Sequence, residues 1–211
     1  MTTAGISYGI AAVAYGAFAL WLVQSKVAFK SQRALIFACV TTVIWALAYG
    51  SSSTRLPFGV FELLRNAGWF FFLLALLNLA KREGRRWPVY IGAYCLAVLA
   101  VQSLLWLGWI SYSVLLSIFV GAPAALMQMV VAMLLLEQLY RNTLPEQRWG
   151  IKFMCLGLLG LFIFDFYMFA EAVLFNALDP ALFQARGLIN ALAVPLIAWS
   201  VSRNPSLVVR F

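Results

Sequence analysis

Apolar residues run through this chain in long blocks separated by short polar connections, and inside a block the polar positions come singly instead of lining one face. The block from Leu156 to Phe169 is broken once, by Asp165. A bilayer core about 30 Å thick calls for about 20 apolar residues per helix, because every backbone polar group must be satisfied within the spanning element. On that ruler the sequence predicts seven spans, at about Gly5–Gln24, Ala34–Gly50, Pro57–Ala80, Pro88–Gly108, Tyr112–Leu139, Trp149–Phe175 and Ala181–Ser202. The connections leave no room for a soluble domain. Residues 1–211 therefore read as one all-α domain, a bundle of seven transmembrane helices.

The punctuation agrees with these limits. Trp87 and Trp149 stand at the entries of spans four and six, and Trp106, Trp109 and Tyr112 surround the loop between spans four and five, as expected of interfacial aromatics. Pro57, Pro88 and Pro180 lie at or just before helix starts, where a missing N–H costs nothing. Pro123 and Pro195 fall inside spans five and seven and predict a kink in each. Gly150, Gly157 and Gly160 give span six a small-residue face for close helix approach. Spans one to three and five to seven share no matching polar or Gly/Pro positions, which weighs against an inverted-repeat transporter.

Composition excludes a soluble protein: 64% of residues are hydrophobic and 10% charged, against roughly 25% charged in a soluble domain. The net charge of +8 does not imply nucleic acid here, because the bases alternate between loops. Lys26, Lys30, Arg33, Lys81, Arg82, Arg85, Arg86, Arg141, Arg148, Lys152, Arg203 and Arg210 share one side, leaving Arg55, Arg65 and Arg186 towards the other. The positive-inside rule then puts the N-terminus outside and the C-terminus in the cytoplasm, in a bacterial inner membrane. No basic residue precedes the first apolar stretch, so that span is expected to be retained and not cleaved as a signal. Cys39, Cys95 and Cys155 all fall within spans and read as small apolar packing residues.

The chain has no histidine, which removes imidazole metal or haem ligation, Ser-His and Cys-His catalysis, and a phospho-accepting histidine. No lysine lies within a span, so a retinal Schiff base is excluded as well. No cofactor and no enzymatic activity are expected of these residues. What remains is polar density in the outer half of the bundle: Glu62, Arg65 and Asn66 on span three, Asp165, Tyr167 and Glu171 on span six, and Arg186 and Asn190 on span seven. An unpaired charge near the bilayer centre costs on the order of 3 kcal/mol, so these groups should face one another or water. One reading is an outward-opening pocket for a small polar or amphipathic ligand. The other is structural, with Asp165 paired to Arg186 and Glu62 to Arg65, the latter two being i, i+3 on one helix. Gln102 and Gln128 are expected to make helix-to-helix hydrogen bonds.

The run LEQLYRNTLPEQRWGIKFMCLGLLGLFIFDFYMFAEAVLF, from Leu136 to Phe175, and LDPALFQARGLINALAVPLIAWSVSRNP, from Leu178 to Pro205, resemble the N-terminal membrane region of the PrsK family. These are sensor histidine kinases associated with the exosortase (PEP-CTERM) system. FELLRNAGWFFFLLALL, from Phe61 to Leu77, is similar to the third span of the same family. Spans one, two and four match only in hydropathy. The resemblance implies a longer protein, continuing past Phe211 into a GAF-like sensor and a kinase core that signals to a response regulator. Residues 1–211 would be its membrane input module, answering an unknown small ligand or envelope signal and homodimerising through the full-length kinase. The rival expectation is a small secondary transporter or lipid-handling protein that uses the outer polar residues as its substrate site.

Overall fold

The computed structural model describes residues 3–25, 31–51, 58–78, 97 and 121–203. Six helices fill them: α1 (Thr3–Gln24), α2 (Gln32–Gly50), α3 (Phe58–Asn78), α4 (Ala122–Asn142), α5 (Pro145–Phe175) and α6 (Pro180–Arg203). All six are long and apolar enough to cross a membrane, and no strand occurs among the described residues. The expected fourth span, Pro88–Gly108, lies outside the described residues apart from Ala97, as do Cys95, Gln102, Trp87, Trp106, Trp109 and Tyr112.

Helix ends follow from local chemistry. The α4–α5 connection is only Thr143 and Leu144, because Thr143 Oγ1 donates back to Leu139 O at 2.6 Å and Pro145 then opens the next helix. That start lies four residues ahead of the expected Trp149. α5 closes on Asn176 in the left-handed region (φ 50°), which asparagine tolerates better than most residues. Asp179 caps α6, its carboxylate accepting from Ala181 N–H at 2.7 Å while Pro180 takes the first helical position. Pro195 lies inside α6, as expected. Pro123 does not behave as expected. It sits in the first turn of α4, after an extended Gly121, where no intrahelical N–H partner exists to lose.

Each helix buries one stripe and leaves apolar residues on the other side. In α1 the buried stripe is Tyr8, Ala11, Ala12, Tyr15, Phe18, Ala19 and Leu22, while Val13 is 73% and Leu20 63% exposed. A soluble helix would place polar side chains there. Apolar surface on this outer face is what lipid requires.

The helices close into a ring in which α1 packs on α2, α2 on α3, α4 on α5, α5 on α6 and α6 back on α1, with a lighter α3–α4 contact. Contact registers fix the directions. Trp45 meets Glu62 while Thr41 lies beside Gly68, so α2 and α3 are antiparallel. Ser200 Oγ donates to Gly150 O and Gly157 lies against Ala193 and Leu196, so α5 and α6 are antiparallel. Thr3 meets Gln184 and Ser7 Oγ accepts from Leu188 N–H at 2.8 Å, so α1 and α6 run the same way. It follows that α1, α3, α4 and α6 point one way and α2 and α5 the other.

Gly187 is the closest point of the α1–α6 seam. A methyl group there would stand 2.6 Å from the backbone of Ser7 and Tyr8. Gly187→Ala is expected to destabilise the solubilised protein by about 1–3 kcal/mol, the usual cost of overpacking. Gly160→Ala, where nothing lies within 4 Å of the added carbon, should melt no lower than the parent, since alanine is the better helix former. Thermal melting in detergent checks both, and an unaffected Gly187→Ala would contradict the close approach.

Candidate functional site

The described ring brings charge together at one depth, a few residues in from the outer ends of α2, α3 and α6, meaning the ends that lie away from Arg33 and Arg203, and further along α5. Arg186 on α6 lies at the centre. Its Nε donates to Asp165 Oδ1 at 2.6 Å and its Nη2 to Asp165 Oδ2 at 2.9 Å. The same guanidinium reaches across to α3, with Nη2 at 2.8 Å from Glu62 Oε2 and Nη1 bonded to Glu62 Oε1. Arg65 on α3 pairs in turn with Asp165 on α5 and stands 3.8 Å from its own helix neighbour Glu62. Two carboxylates and two guanidiniums thus form one neutral group, each base touching both acids. The expected Asp165–Arg186 pair forms. The expected Glu62–Arg65 pair is the loosest contact of the four, because Glu62 turns to Arg186.

Neutral polar groups complete the hydrogen bonding. Trp45 Nε1 on α2 donates to Glu62 Oε1 at 2.7 Å, and Tyr49 on the same helix hydrogen-bonds Glu62 as well. Arg65 donates to Asn66 Oδ1 at 3.1 Å and to Asn190 Oδ1 at 3.4 Å, while Asn66 Nδ2 donates to Gln128 Oε1 at 2.9 Å. The last bond is the helix-to-helix contact expected of Gln128 and draws α4 into the network. Both guanidiniums lie over the Trp45 ring, 4.5 Å and 5.0 Å from its centroid, and Arg186 also lies 5.2 Å from the centroid of Phe169. Tyr8 of α1 donates to Phe183 O at 3.0 Å and packs edge-on against Trp45, closing the outer side together with Tyr49. Every described helix contributes.

The centre is dry by burial. Arg65 and Asp165 are 0% exposed, Arg186 and Asn190 1% and Asn66 2%, and only the Glu62 side chain, at 13%, approaches the surface. Two further candidates stand apart. Tyr167 is 56% exposed and lines an apolar groove of about 470 Å³ between α5 and α6. Glu171 is partly buried, its Oε2 without a hydrogen-bond partner among the described residues, and it does not join the cluster. Their separation is helical phase: at about 100° per residue, Tyr167 is turned about 200° and Glu171 about 240° from Asp165. Matching depth brought these residues into consideration; matching azimuth keeps them out.

Sequence reasoning missed Trp45, Tyr8, Tyr49 and Phe183, all on apolar stretches without a charge to mark them. The signal that could have found Trp45 is its place five residues before the outer end of α2, level with Glu62. Among the described residues no group of three or more His, Cys, Asp or Glu side chains could hold a metal ion, and Cys39 and Cys155 are free and buried. Chemically, the arrangement offers carboxylates already forked by arginines. Its immediate effect is to tie the helices together.

Removing one charge from this group strands another. Asp165→Asn and Arg186→Gln are each expected to destabilise the protein by roughly 3–5 kcal/mol, the cost of leaving a buried ion unpaired. The double variant restores neutrality, keeps Glu62 beside Arg65, and should lose clearly less than the sum. Melting of the four proteins in detergent measures the coupling. Additive losses would show that the two ions do not stabilise each other.

Comparison with family models, curated proteins and solved structures finds no match to this chain.

Proposed function

We propose that residues 1–211 form the membrane input module of a bacterial two-component sensor histidine kinase, with seven spans, an outside N-terminus and a cytoplasmic C-terminus. The observation that carries the reading is the run from Leu136 to Trp149 together with α5 and α6, where the resemblance to exosortase-associated (PrsK) kinases is concentrated. In that reading the input is a ligand or envelope state felt at the outer cluster. α6 supports it by geometry: one helix carries Arg186 in the cluster and Arg203 at the opposite end, 17 residues and about 25 Å away. A shift in the pairing of Arg186 would move that end directly. Coupling of this kind requires a signal that binds two arrangements of the helices differently.

The direction of the helices supports the seventh span. α3 and α4 are neighbours that point the same way, which supports one further crossing between Asn78 and Ala122. Pro88–Gly108 is the apolar stretch suited to that crossing.

Two measurements test this. Single cysteines at Gly84 and at Ser111, in a background with Cys39, Cys95 and Cys155 replaced, should react with an impermeant thiol reagent from opposite sides, Gly84 from the cytoplasm. Labelling from one side overturns the seven-span topology. The native gene, read beyond the codon for Phe211, should continue in frame into a histidine-kinase core. A stop codon there overturns the sensor reading and favours the small transporter or lipid-handling protein, with the Glu62–Arg186 group as its substrate site.

A further inference from the structure

The apolar groove between α5 and α6 has a cationic mouth at the Leu156 end, while Glu171 lies one turn beyond Tyr167 at the other end. Its α5 wall follows one helical stripe, Leu156, Gly160, Ile163 and Tyr167, and its α6 wall includes Leu192 and Leu196. Continuing each stripe by one turn towards the basic side of the protein reaches Lys152 on α5 and Trp199 on α6, and a second turn of α6 reaches Arg203. The antiparallel register that joins Ser200 to Gly150 sets Lys152 level with Ala198, beside Trp199, and Arg203 five residues, about 7 Å, further out, with its guanidinium folded back over the Trp199 ring. Both cations are exposed and each is held at an aromatic ring, Lys152 Nζ 4.6 Å from the centroid of Trp149 and Arg203 4.8 Å from that of Trp199. Trp149 is 70% and Trp199 50% exposed, as befits rings at the level of lipid headgroups.

The groove itself needs explaining. Gly157 allows α5 to approach α6, where a methyl group would meet Ala193 O at 3.2 Å. Gly160 has no such role: it is exposed, and nothing lies within 4 Å of the carbon an alanine would add. A glycine costs a helix interior roughly 1 kcal/mol relative to alanine, and here its effect is to leave the groove open. From Leu156 to Tyr167 the groove runs 11 residues, about 16 Å. One leaflet of a bilayer is about 15 Å deep.

We propose that this groove is a binding site for one anionic phospholipid of the leaflet on the basic side. An acyl chain lies along Gly160 between α5 and α6, and the phosphate lies between Lys152 and Arg203. Charge selects the occupant. The two walls are apolar and would accept any acyl chain, while Lys152 and Arg203 at the groove's mouth are both cationic, so a headgroup with net negative charge is preferred over a zwitterionic one. The site is independent of the kinase reading; that reading supplies only the name of the leaflet, cytoplasmic.

Native mass spectrometry of the full chain, released from detergent with equal amounts of dioleoyl-phosphatidylglycerol and dioleoyl-phosphatidylcholine, tests the site. One retained phosphatidylglycerol per chain is expected. Lys152→Gln with Arg203→Gln should lower the preference for phosphatidylglycerol roughly thirtyfold, about 2 kcal/mol for two interfacial cations. Gly160→Leu, whose β-carbon would meet nothing within 4 Å, puts a side chain into the groove and should abolish retention of both lipids with the cations intact. Glycerol phosphate, which has the anion and no chain, should not displace the lipid. Equal retention of the two lipids by the parent, or a preference that survives the double charge variant, overturns the proposal. So does phosphatidylglycerol retention undiminished in Gly160→Leu, which would make the basic rim alone the binding element. Circular dichroism melts of the variants without added lipid should lie no lower than the parent, since every altered position is exposed and leucine is a better helix former than glycine.

Discussion

Charge in hydrocarbon has to be cancelled where it stands, and in this protein the cancellation is done by two acids and two bases drawn from three helices. Left unpaired, four such groups would cost on the order of 10 kcal/mol at the bilayer centre. Sharing each guanidinium between both carboxylates makes the group neutral without dividing it into two separable pairs. The consequence for the fold is direct. Glu62 and Arg65 fix the rotation of α3, Asp165 that of α5 and Arg186 that of α6, because any large turn of one helix withdraws a charge from its partners. Apolar packing supplies the bulk of the contact area, but apolar helices in lipid slide past one another cheaply, having no hydrophobic driving force between them. The ions choose among the packings.

Around this centre the aromatic side chains act as an insulating layer. Trp45 is the most economical of them, with its indole N–H spent on Glu62 and its face turned to both guanidiniums. Tyr8, Tyr49 and Phe183 then separate the ions from the outer surface. A lower local polarity strengthens each hydrogen bond inside and raises the penalty for breaking one. Such a centre favours one well-defined arrangement of helices over many similar ones.

Much of this was legible in the residues. The apolar runs located the six described helices, because each must be long enough to cross the bilayer, but the helix expected from Tyr112 starts only at Ala122 and α5 begins four residues ahead of Trp149. Asp165 and Arg186 announced their pairing by depth alone. The remaining features were hidden for physical reasons. Tyr167 and Glu171 share the depth of the cluster but lie on other faces of α5, and depth carries no azimuth. Glu62 could pair within its helix or across the bundle, and only the seating of α6 against α1 decides it, through a glycine at 187 that looks unremarkable in the sequence. Pro123 reads as a kink inside a long apolar block; the extended backbone at Gly121 that makes it a helix start leaves no mark in hydropathy.

The seam between α1 and α6 joins residues about 180 positions apart in the chain, Thr3 with Gln184 and Ser7 with Leu188. The helices of a membrane protein enter the bilayer in chain order, so Glu62, Arg65 and Asp165 arrive before Arg186 does. Until α6 joins them, the growing bundle carries two carboxylates against one guanidinium at the level of the cluster. The surplus negative charge disappears only when α6 docks along α1. Docking of α6 and neutralisation of the bundle's interior are therefore the same event, and a bundle without α6 differs from one with it by a full buried charge, a difference large enough for the quality-control machinery of a cell to act on.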